Sequence, residues 1–404
     1  MTAKLSLIKL VSLVCFTYLS LLAQASDGSD GGGEAKAHFK NLSPEERLAY
    51  LSRAEVLTLS KTRSLDKISS VDVAAELQQR CGGPFTYLRK RSGLEIPTVE
   101  CKYVPATGEY ALNGQSRKFL CAFQDGDKEQ VVKVKYAISG RHSRNAESQE
   151  AVLGMTFARL IGFEASTACP ARVVCRGCPS NDPWKDANRS SATASNNSHT
   201  FEITSIEYKK VEGLLLFSPS FKDSPGFAWS ELEVIDPKLS FDRRREIAIQ
   251  REALLLWNVL LHNKDAVPAN QSLVCRKWES SGVGGPPACT DSAVLTYDYG
   301  YTFGSLDLVE YRDRKIFLSA SADEGCVGDL NENTITYPRI SEEARKLLLE
   351  RLEEITRQQM VDIFQLAQVT TSGHFMGGWS VDKWIDVFQE KIDEIRQARC
   401  KSIM

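Results

Sequence analysis

The chain has 404 residues, of which 42% are hydrophobic and 25% are charged, so it can bury a sizeable core and build more than one domain. Its formal net charge is −2, which provides no basic field for nucleic acid, and we expect no nucleic-acid partner. Composition therefore favours an enzyme-sized globular protein and indicates little more.

The first 25 residues have the pattern of a secretory signal peptide. Lys4 and Lys9 flank the start of an apolar stretch from residue 10 to residue 22, which leads into Ala23-Gln24-Ala25. Such an A-x-A ending is typical of a cleavage site. Because the apolar stretch is short for a bilayer, we expect cleavage, export through the secretory route and no remaining transmembrane span.

Cysteine content agrees with export. Of the 11 cysteines only Cys15 lies in the signal, and an even set of ten in an exported chain predicts disulfides. Cys275 and Cys289 flank a Gly- and Pro-rich tip, so we expect a bridge between them. Cys175 and Cys178 have zinc-knuckle spacing, but no second C-x-x-C supplies the other two ligands. A disulfide is the default there, and structural zinc is the alternative.

Two segments precede the main body of the chain. We expect a flexible tether over residues 26–37, which are acidic and Gly-rich, and an N-terminal helical extension over residues 38–100. The extension contains Ser43-Pro44-Glu45-Glu46, where a Ser cap, a Pro in the first turn and acidic residues are typical of a helix start.

A strand over residues 129–136 offers lysines that can hold phosphate. Lys133 and Lys135 lie on the same face of it because side chains alternate with period two, so the pattern does not choose between them. We prefer Lys133 by its fit to a V-A-I-K-like position. The helix predicted over residues 145–163 offers two glutamates, Glu147 and Glu150, on one face as partners for the lysine. Glu150 is favoured because it is better placed against the apolar repeat that follows.

An apolar helix that begins near Phe241 leads into a polar loop with Asp265 and Asn270. Two β-prone runs follow, and as a hairpin they would bring Asp298, in Asp298-Tyr299-Gly300, beside Asp265. Kinases use this layout: one carboxylate reaches the attacking hydroxyl, while an Asn and a second Asp reach the metal that bridges the phosphates.

These residues together resemble the atypical protein-kinase-like superfamily that includes the HipA-type kinases, the secretory-pathway kinases and the phosphatidylinositol 3- and 4-kinases. Those families carry an N-x-D-x-H-x-x-N loop and a D-x-G motif. The residues that match position by position are Asn263, Asp265, Asn270, Asp298 and Gly300.

The resemblance covers about residues 100 to 370 and implies an α+β, two-lobed protein-kinase-like fold. The implied N-lobe is 101–212 with an insertion at 179–200, and the implied helical C-lobe is 213–404. Further helices are predicted from Ser341 and over residues 381–399, where an apolar stripe indicates core packing.

The resemblance also implies roles and ligands. ATP with Mg²⁺ or Mn²⁺ would be bound, and the acceptor would carry a hydroxyl on a protein, lipid or sugar. The implied catalytic residues are Asp265, Lys133 and Glu150; the nucleotide phosphates would be held by Lys133, Lys135, Glu147 and Glu150, and the metal by Asn270 and Asp298.

Two departures keep other functions open. Val267 stands where the family loop has His, and the Asn113-Gly114 turn replaces a G-x-G-x-x-G loop. A catalytically inactive pseudokinase, acting as a disulfide-stabilised secreted binding module, is therefore the alternative to an active kinase. A third possibility is an unrelated secreted protein with a chance motif, since Asn270-Gln271-Ser272 also matches the N-glycosylation pattern.

Overall fold

The computed structural model describes only part of the chain. The described residues are 43–57, 67–82, 85–91, 93–106, 112, 116–125, 128–137, 146–187, 197–208, 214–217, 226–279, 288–332, 335–371 and 378–402. The expected signal peptide and tether, the Asn113-Gly114 turn and the loop tip at 280–287 lie outside these ranges.

Helices and strands are interspersed along the chain, which confirms the predicted α+β class. The helices are α1 (Pro44–Arg53), α2 (Val73–Cys81), α3 (Glu147–Leu160), α4 (Pro183–Ala187), α5 (Phe241–Leu261), α6 (Leu308–Asp313), α7 (Glu342–Glu353), α8 (Arg357–Leu366) and α9 (Val381–Gln397). The strands are β1 (Leu88–Lys90), β2 (Gly93–Glu95), β3 (Thr98–Val104), β4 (Lys118–Asp125), β5 (Lys128–Tyr136), β6 (Glu164–Ala165), β7 (Thr167–Arg176), β8 (Ser198–Tyr208), β9 (Leu214–Phe217), β10 (Gln271–Glu279), β11 (Ala288–Thr296), β12 (Phe317–Ser321), β13 (Gly325–Gly328), β14 (Asn331–Glu332), β15 (Ile335–Thr336) and β16 (Arg339–Ile340).

A closed five-stranded barrel forms the first half of the described fold, in the order β3-β4-β5-β8-β7. The β3–β7 pair is parallel and the other pairs are antiparallel. The predicted strand at 129–136 is confirmed as β5, and the predicted helix at 145–163 is confirmed as α3, which packs across β7 and β8. Gly162 ends that helix with a φ of +98°, a conformation that favours glycine.

The loop with Asp265 and Asn270 lies between α5 and a second sheet, ordered β6-β11-β10-β9. Helix α5 starts at Phe241 behind the Ser240 cap, as predicted. The predicted hairpin is confirmed as the antiparallel β10–β11 pair, in which Gln271 lies opposite Thr296. The paired residues Gln271 and Thr296 therefore place the end of the loop beside the start of the segment that carries Asp298.

The N-terminal part packs on this second sheet rather than standing apart from it. Ser43 caps α1 as predicted, and Arg47 forms an ion pair with Glu231, 2.8 Å away. Glu55 forms an isolated parallel bridge with Ala293 of β11. The segment expected as a helical extension, 38–100, contains α1 and α2 but continues into β1, β2 and β3, so the expected boundary at residue 100 falls inside a barrel strand.

The last helices close a shared core. Helix α7 begins behind the Ser341 cap and α9 spans Val381–Gln397, close to the predicted bounds. The apolar stripe of α9 is buried, which confirms its predicted packing role, and Phe388 stacks on Phe157 of α3 with ring centroids 5.0 Å apart. The C-terminal helices thus hold α3 from the side away from the barrel.

All ten cysteines after Cys15 form disulfides. The pairs are Cys81–Cys169, Cys101–Cys121, Cys175–Cys178, Cys275–Cys289 and Cys326–Cys400. The expected bridge across the β10–β11 hairpin and the expected pairing of Cys175 with Cys178 are both present. In the described part of the chain, no helix is both long and apolar enough to span a membrane.

Candidate active site

Lys135 is the cation at the centre of the candidate site. Its Nζ lies 2.6 Å from Glu147 Oε1 and 2.7 Å from each carboxylate oxygen of Asp298. The side chain is 1% exposed, and burying a charge at this depth requires paired, hydrogen-bonded partners. Strand β5, the first turn of α3 and the segment after β11 therefore meet at one ammonium group.

This geometry corrects the preferred ion pair of the sequence analysis. The sequence pattern favours Lys133 with Glu150, but the strand lysine that pairs with the helix is Lys135, and its partner is Glu147. The reason is distance in space: Glu147 is the first residue of α3 and faces the end of β5, whereas Glu150 is almost one turn further on. Lys133 is half-buried on the same strand.

The segment after β11 is shaped to bring Asp298 to this lysine. Asp298 has a φ of +42°, which is uncommon for a residue with a side chain. Gly300 donates its N–H to Asp298 Oδ1 at 3.2 Å. A Cβ on Gly300 would lie 2.5 Å from Glu147 Cγ, so a side chain here would displace the glutamate that holds Lys135.

Tyr299, between those two residues, fixes the segment against the core. Its hydroxyl lies 2.8 Å from Thr296 Oγ1, and it is fully buried. A Cβ on Gly154 of α3 would lie 2.3 Å from Tyr299 Cβ. Tyr299 therefore packs directly against α3 at Gly154, where there is no side chain. This contact fixes the position of the Asp298 segment relative to α3.

Glu150 supports the same segment from α3. Its Oε2 accepts the N–H of Tyr301 at 2.7 Å, and its Oε1 has no hydrogen-bond partner among the described residues. The side chain is 1% exposed, and burial raises the pKa of this carboxyl well above its usual range. Tyr301 was not identified from the sequence, and nothing in its local pattern indicates this contact.

The Asp265 loop is held by a chain of amide side chains. Asn258 accepts from Asn263 Nδ2 at 2.8 Å, and Asn263 Oδ1 accepts the N–H of Asp265 at 3.0 Å. Asn258 is buried in α5 and was not singled out from the sequence, because an Asn within an apolar helix gives no local signal of its partner. Helix α5 thus orients Asp265 through two amides.

Asn270 closes the loop and links it to the Asp298 segment. Its Nδ2 donates to the Asp265 carbonyl at 2.9 Å, and its own carbonyl accepts from the N–H of Tyr297 at 2.8 Å. It lies in a short 3-10 turn that Pro268 begins, directly before β10. Asn270 and Asp298 are therefore placed at neighbouring ends of paired strands.

Asp265 lies in an environment that raises the pKa of its carboxyl. Desolvation raises the pKa of its carboxyl to about 7, and the negative charges of Asp298 and Glu147 act in the same direction. Lys135 opposes this rise. Glu147, Asp298 and Asp265 thus bring carboxyl oxygens near one lysine, and oxygen donors of this kind suit Mg²⁺ or Mn²⁺.

Comparison with known proteins yields only weak structural similarity. No protein-family model matches the chain, and no curated protein matches it significantly. The chain is similar to the Helicobacter pylori proinflammatory kinase CtkA, with 12% identity and a TM-score of 0.37, over 75% of this chain and 95% of that one. It is also similar to HipA of Shewanella oneidensis MR-1, a toxin–antitoxin protein solved with HipB and operator DNA, with 13% identity and a TM-score of 0.28, over 93% and 80%. At these scores neither similarity establishes the activity of this chain.

Proposed function

We propose that the chain is an exported, two-lobed kinase-like enzyme that transfers the γ-phosphoryl group of ATP to a hydroxyl acceptor on a protein, lipid or sugar. The observation that carries this proposal is the junction of Lys135 with Glu147 and Asp298. A buried lysine from a strand, fixed by a helix glutamate beside a metal-binding Asp, is the arrangement that protein kinases use for phosphoryl transfer.

Lys135 is the group we assign to the phosphates. Its ammonium group is placed beside the Asp298 carboxylate before substrate arrives, so the positive charge is already positioned where phosphate charge would be stabilised. Glu147 would still hold the Lys135 ammonium group at the end of β5 when Asp298 binds a metal ion instead. Lys133, preferred from the sequence, is not assigned this role.

Asp298 and Asn270 are the residues that would hold the divalent metal, which would supply charge neutralisation at the phosphates. Their donor atoms are a carboxylate and an amide oxygen, the hard ligands that Mg²⁺ prefers. The Asn270 amide nitrogen is engaged by the Asp265 carbonyl, which leaves the amide oxygen as its ligand atom. The donor set of the site therefore fits the cofactor.

Asp265 is the proposed base. It takes the proton of the acceptor hydroxyl as that oxygen bonds to the γ-phosphorus, and the bond from phosphorus to the ADP oxygen breaks. A carboxyl with a pKa of about 7 is matched to proton transfer near neutrality. Export is supported by the ten paired cysteines, because disulfides persist in oxidising compartments.

The test is divalent-dependent ATP turnover by the oxidised chain with hydroxyl-bearing acceptors, compared with Asp298→Asn. This variant keeps the shape of the side chain. Circular dichroism verifies that the variant is folded. We expect turnover in the parent chain and its loss in the variant. Full activity in Asp298→Asn contradicts the proposal.

A second candidate, a catalytically inactive binding module, is favoured by two observations. Both oxygens of Asp298 are occupied by Lys135, so the carboxylate already has a cation. Val267 in place of the family His points the same way. Absence of any stabilisation by nucleotide and metal, in a folded chain, selects this candidate over the enzyme.

A further inference from the structure

A second buried lysine, Lys118 on β4, lies beside Lys135. The two residues are directly paired in the antiparallel β4–β5 ladder. Paired residues of such a ladder project from the same face of the sheet, with Cβ atoms about 5 Å apart. Lys118 is 5% exposed and Lys135 is 1% exposed. Two lysine side chains are therefore buried next to each other on one face of the barrel wall.

That face is the one turned toward the candidate active site, because Lys135 meets both of its carboxylate partners there. The next residues on the two strands, Phe119 and Tyr136, point to the opposite face, since side chains alternate along a strand. Their rings pack together in the hydrophobic core, with centroids 5.5 Å apart. Lys118 thus belongs to the wall of the site and not to the interior of the barrel.

Two contacts hold the ammonium group of Lys118 in place. Its Nζ donates to Ser116 Oγ at 3.0 Å and lies 5.2 Å from the centroid of the Trp184 ring, which is within the range of a cation–π interaction. Ser116 is buried just ahead of β4, and Trp184 belongs to α4, which packs against that strand. The fold itself therefore sets the position of this second positive charge.

Two buried lysines in this arrangement favour an anion that reaches both. Like charges directly opposite each other in a ladder repel, and burial strengthens the repulsion. In the proposed enzyme one partner of Lys135, the Asp298 carboxylate, would hold the metal, so the lysine pair would require other negative charge. The phosphate chain of a nucleotide carries several charged oxygens in a row, and hydrogen bonds from lysine to phosphate are among the strong ones in proteins.

On the basis of the proposed kinase-like function, we propose that Lys118 is a second phosphate-binding residue, which contacts the phosphate chain of ATP together with Lys135. Each of the two neighbouring strands β4 and β5 then supplies one cation to the nucleotide. Glu147 anchors the first cation, and Ser116 anchors the second. The affinity of the site for a nucleotide therefore depends strongly on the phosphates and not only on the nucleoside.

The test compares the oxidised parent chain with Lys118→Met by calorimetric titration with ATP and Mg²⁺ and, separately, with adenosine. Methionine keeps an unbranched buried side chain and removes the charge. We expect the affinity for ATP to fall by about 10- to 100-fold, the range for one hydrogen bond to a charged group. The affinity for adenosine, which has no phosphate, should stay the same. Lys118→Arg keeps the positive charge and should retain most of the affinity for ATP.

The matched control is Lys102→Met on β3. Lys102 pairs with Ala122 of β4 and so shares the face of Lys118, but it is exposed to solvent, and its loss should leave ATP affinity unchanged. Equal ATP affinity in the parent chain and Lys118→Met overturns the role of Lys118 and leaves the proposed function standing. A parallel loss of adenosine affinity also overturns it, because Lys118 would then support the structure of the site.

The parent chain separates the two proposals. No binding of ATP to the folded parent chain contradicts the proposed function, and the role of Lys118 fails with it. Binding of ATP that is lost in Lys118→Met but kept in Lys118→Arg and in Lys102→Met, with adenosine affinity unchanged throughout, supports both.

Discussion

Lys135 and Asp298 form a closed ion pair in which the ammonium nitrogen lies 2.7 Å from both carboxylate oxygens. A carboxylate held in this way has to exchange one cation for another when a divalent metal binds. Because Glu147 holds the same ammonium at 2.6 Å, Lys135 keeps one partner during the exchange. In the proposed enzyme Asp298 would hold the metal, which would supply charge neutralisation, and Lys135, still held by Glu147, would be available to the phosphates.

Lys135→Met should lower ATP turnover by about 10²- to 10³-fold, the usual cost of removing one charge-stabilising group from an active site. Lys133→Met is the matched control, since it removes the same charge from the same strand face. It should retain most of the activity. An equal loss in both variants, measured as kcat/KM, contradicts the assignment of Lys135.

The pH dependence should report on Asp265. Because its carboxyl has a raised pKa of about 7, the ionised base is depleted below neutrality and kcat/KM should fall as pH drops through that value. Carboxyl ¹³C NMR checks the pKa without any turnover. In Asp298→Asn the pKa should move down, since a nearby negative charge is lost. An unchanged titration in that variant contradicts the electrostatic coupling.

Glu150→Gln should stabilise the fold increasingly as pH rises. The folded carboxyl has a raised pKa, so its contribution to stability is fully present below the unfolded pKa and is lost as pH rises through the folded one. Glutamine keeps an acceptor for the Tyr301 N–H and carries no charge. The Tm difference from the parent chain should therefore grow as pH rises above the pKa of an unfolded glutamate, about 4.3. Glu150→Ala, which removes the acceptor, should be destabilised throughout.

Gly300→Ala should impair the site by steric conflict alone. The added Cβ would lie 2.5 Å from Glu147 Cγ, so either the Glu147 side chain or the Asp298 segment must shift. Gly325→Ala is an informative control, because the nearest atom to its Cβ is 3.7 Å away while its φ of +98° adds backbone strain. We expect lost turnover in the first variant and only a lowered Tm in the second.

Much of the fold follows from local sequence rules. The Ser caps of α1 and α7, the strand β5 and the β10–β11 hairpin all lie close to their predicted bounds, because caps and periodicity act within a few residues. The order of strands in the barrel does not follow from such rules. It depends on the parallel β3–β7 pairing, whose partners are about 70 residues apart in sequence.

In the candidate site, too, the spacing of residues along the chain can be predicted, but the distances between separate elements cannot. The spacing of Asp265, Asn270 and Asp298 is visible in the chain, and the structure places them around one loop and one hairpin. The choice of Lys135 with Glu147 is set by where α3 crosses the barrel, and no periodicity encodes that distance.

The most direct test of the central claim is a thermal-shift and calorimetric titration of the oxidised chain from Ser26 onward with ATP and Mg²⁺ or Mn²⁺. Asp298→Ala serves as the comparison. We predict stabilisation that requires both nucleotide and metal in the parent chain and is lost in the variant. No binding to a folded parent chain, or equal binding by both proteins, contradicts a nucleotide site built on Lys135 and Asp298.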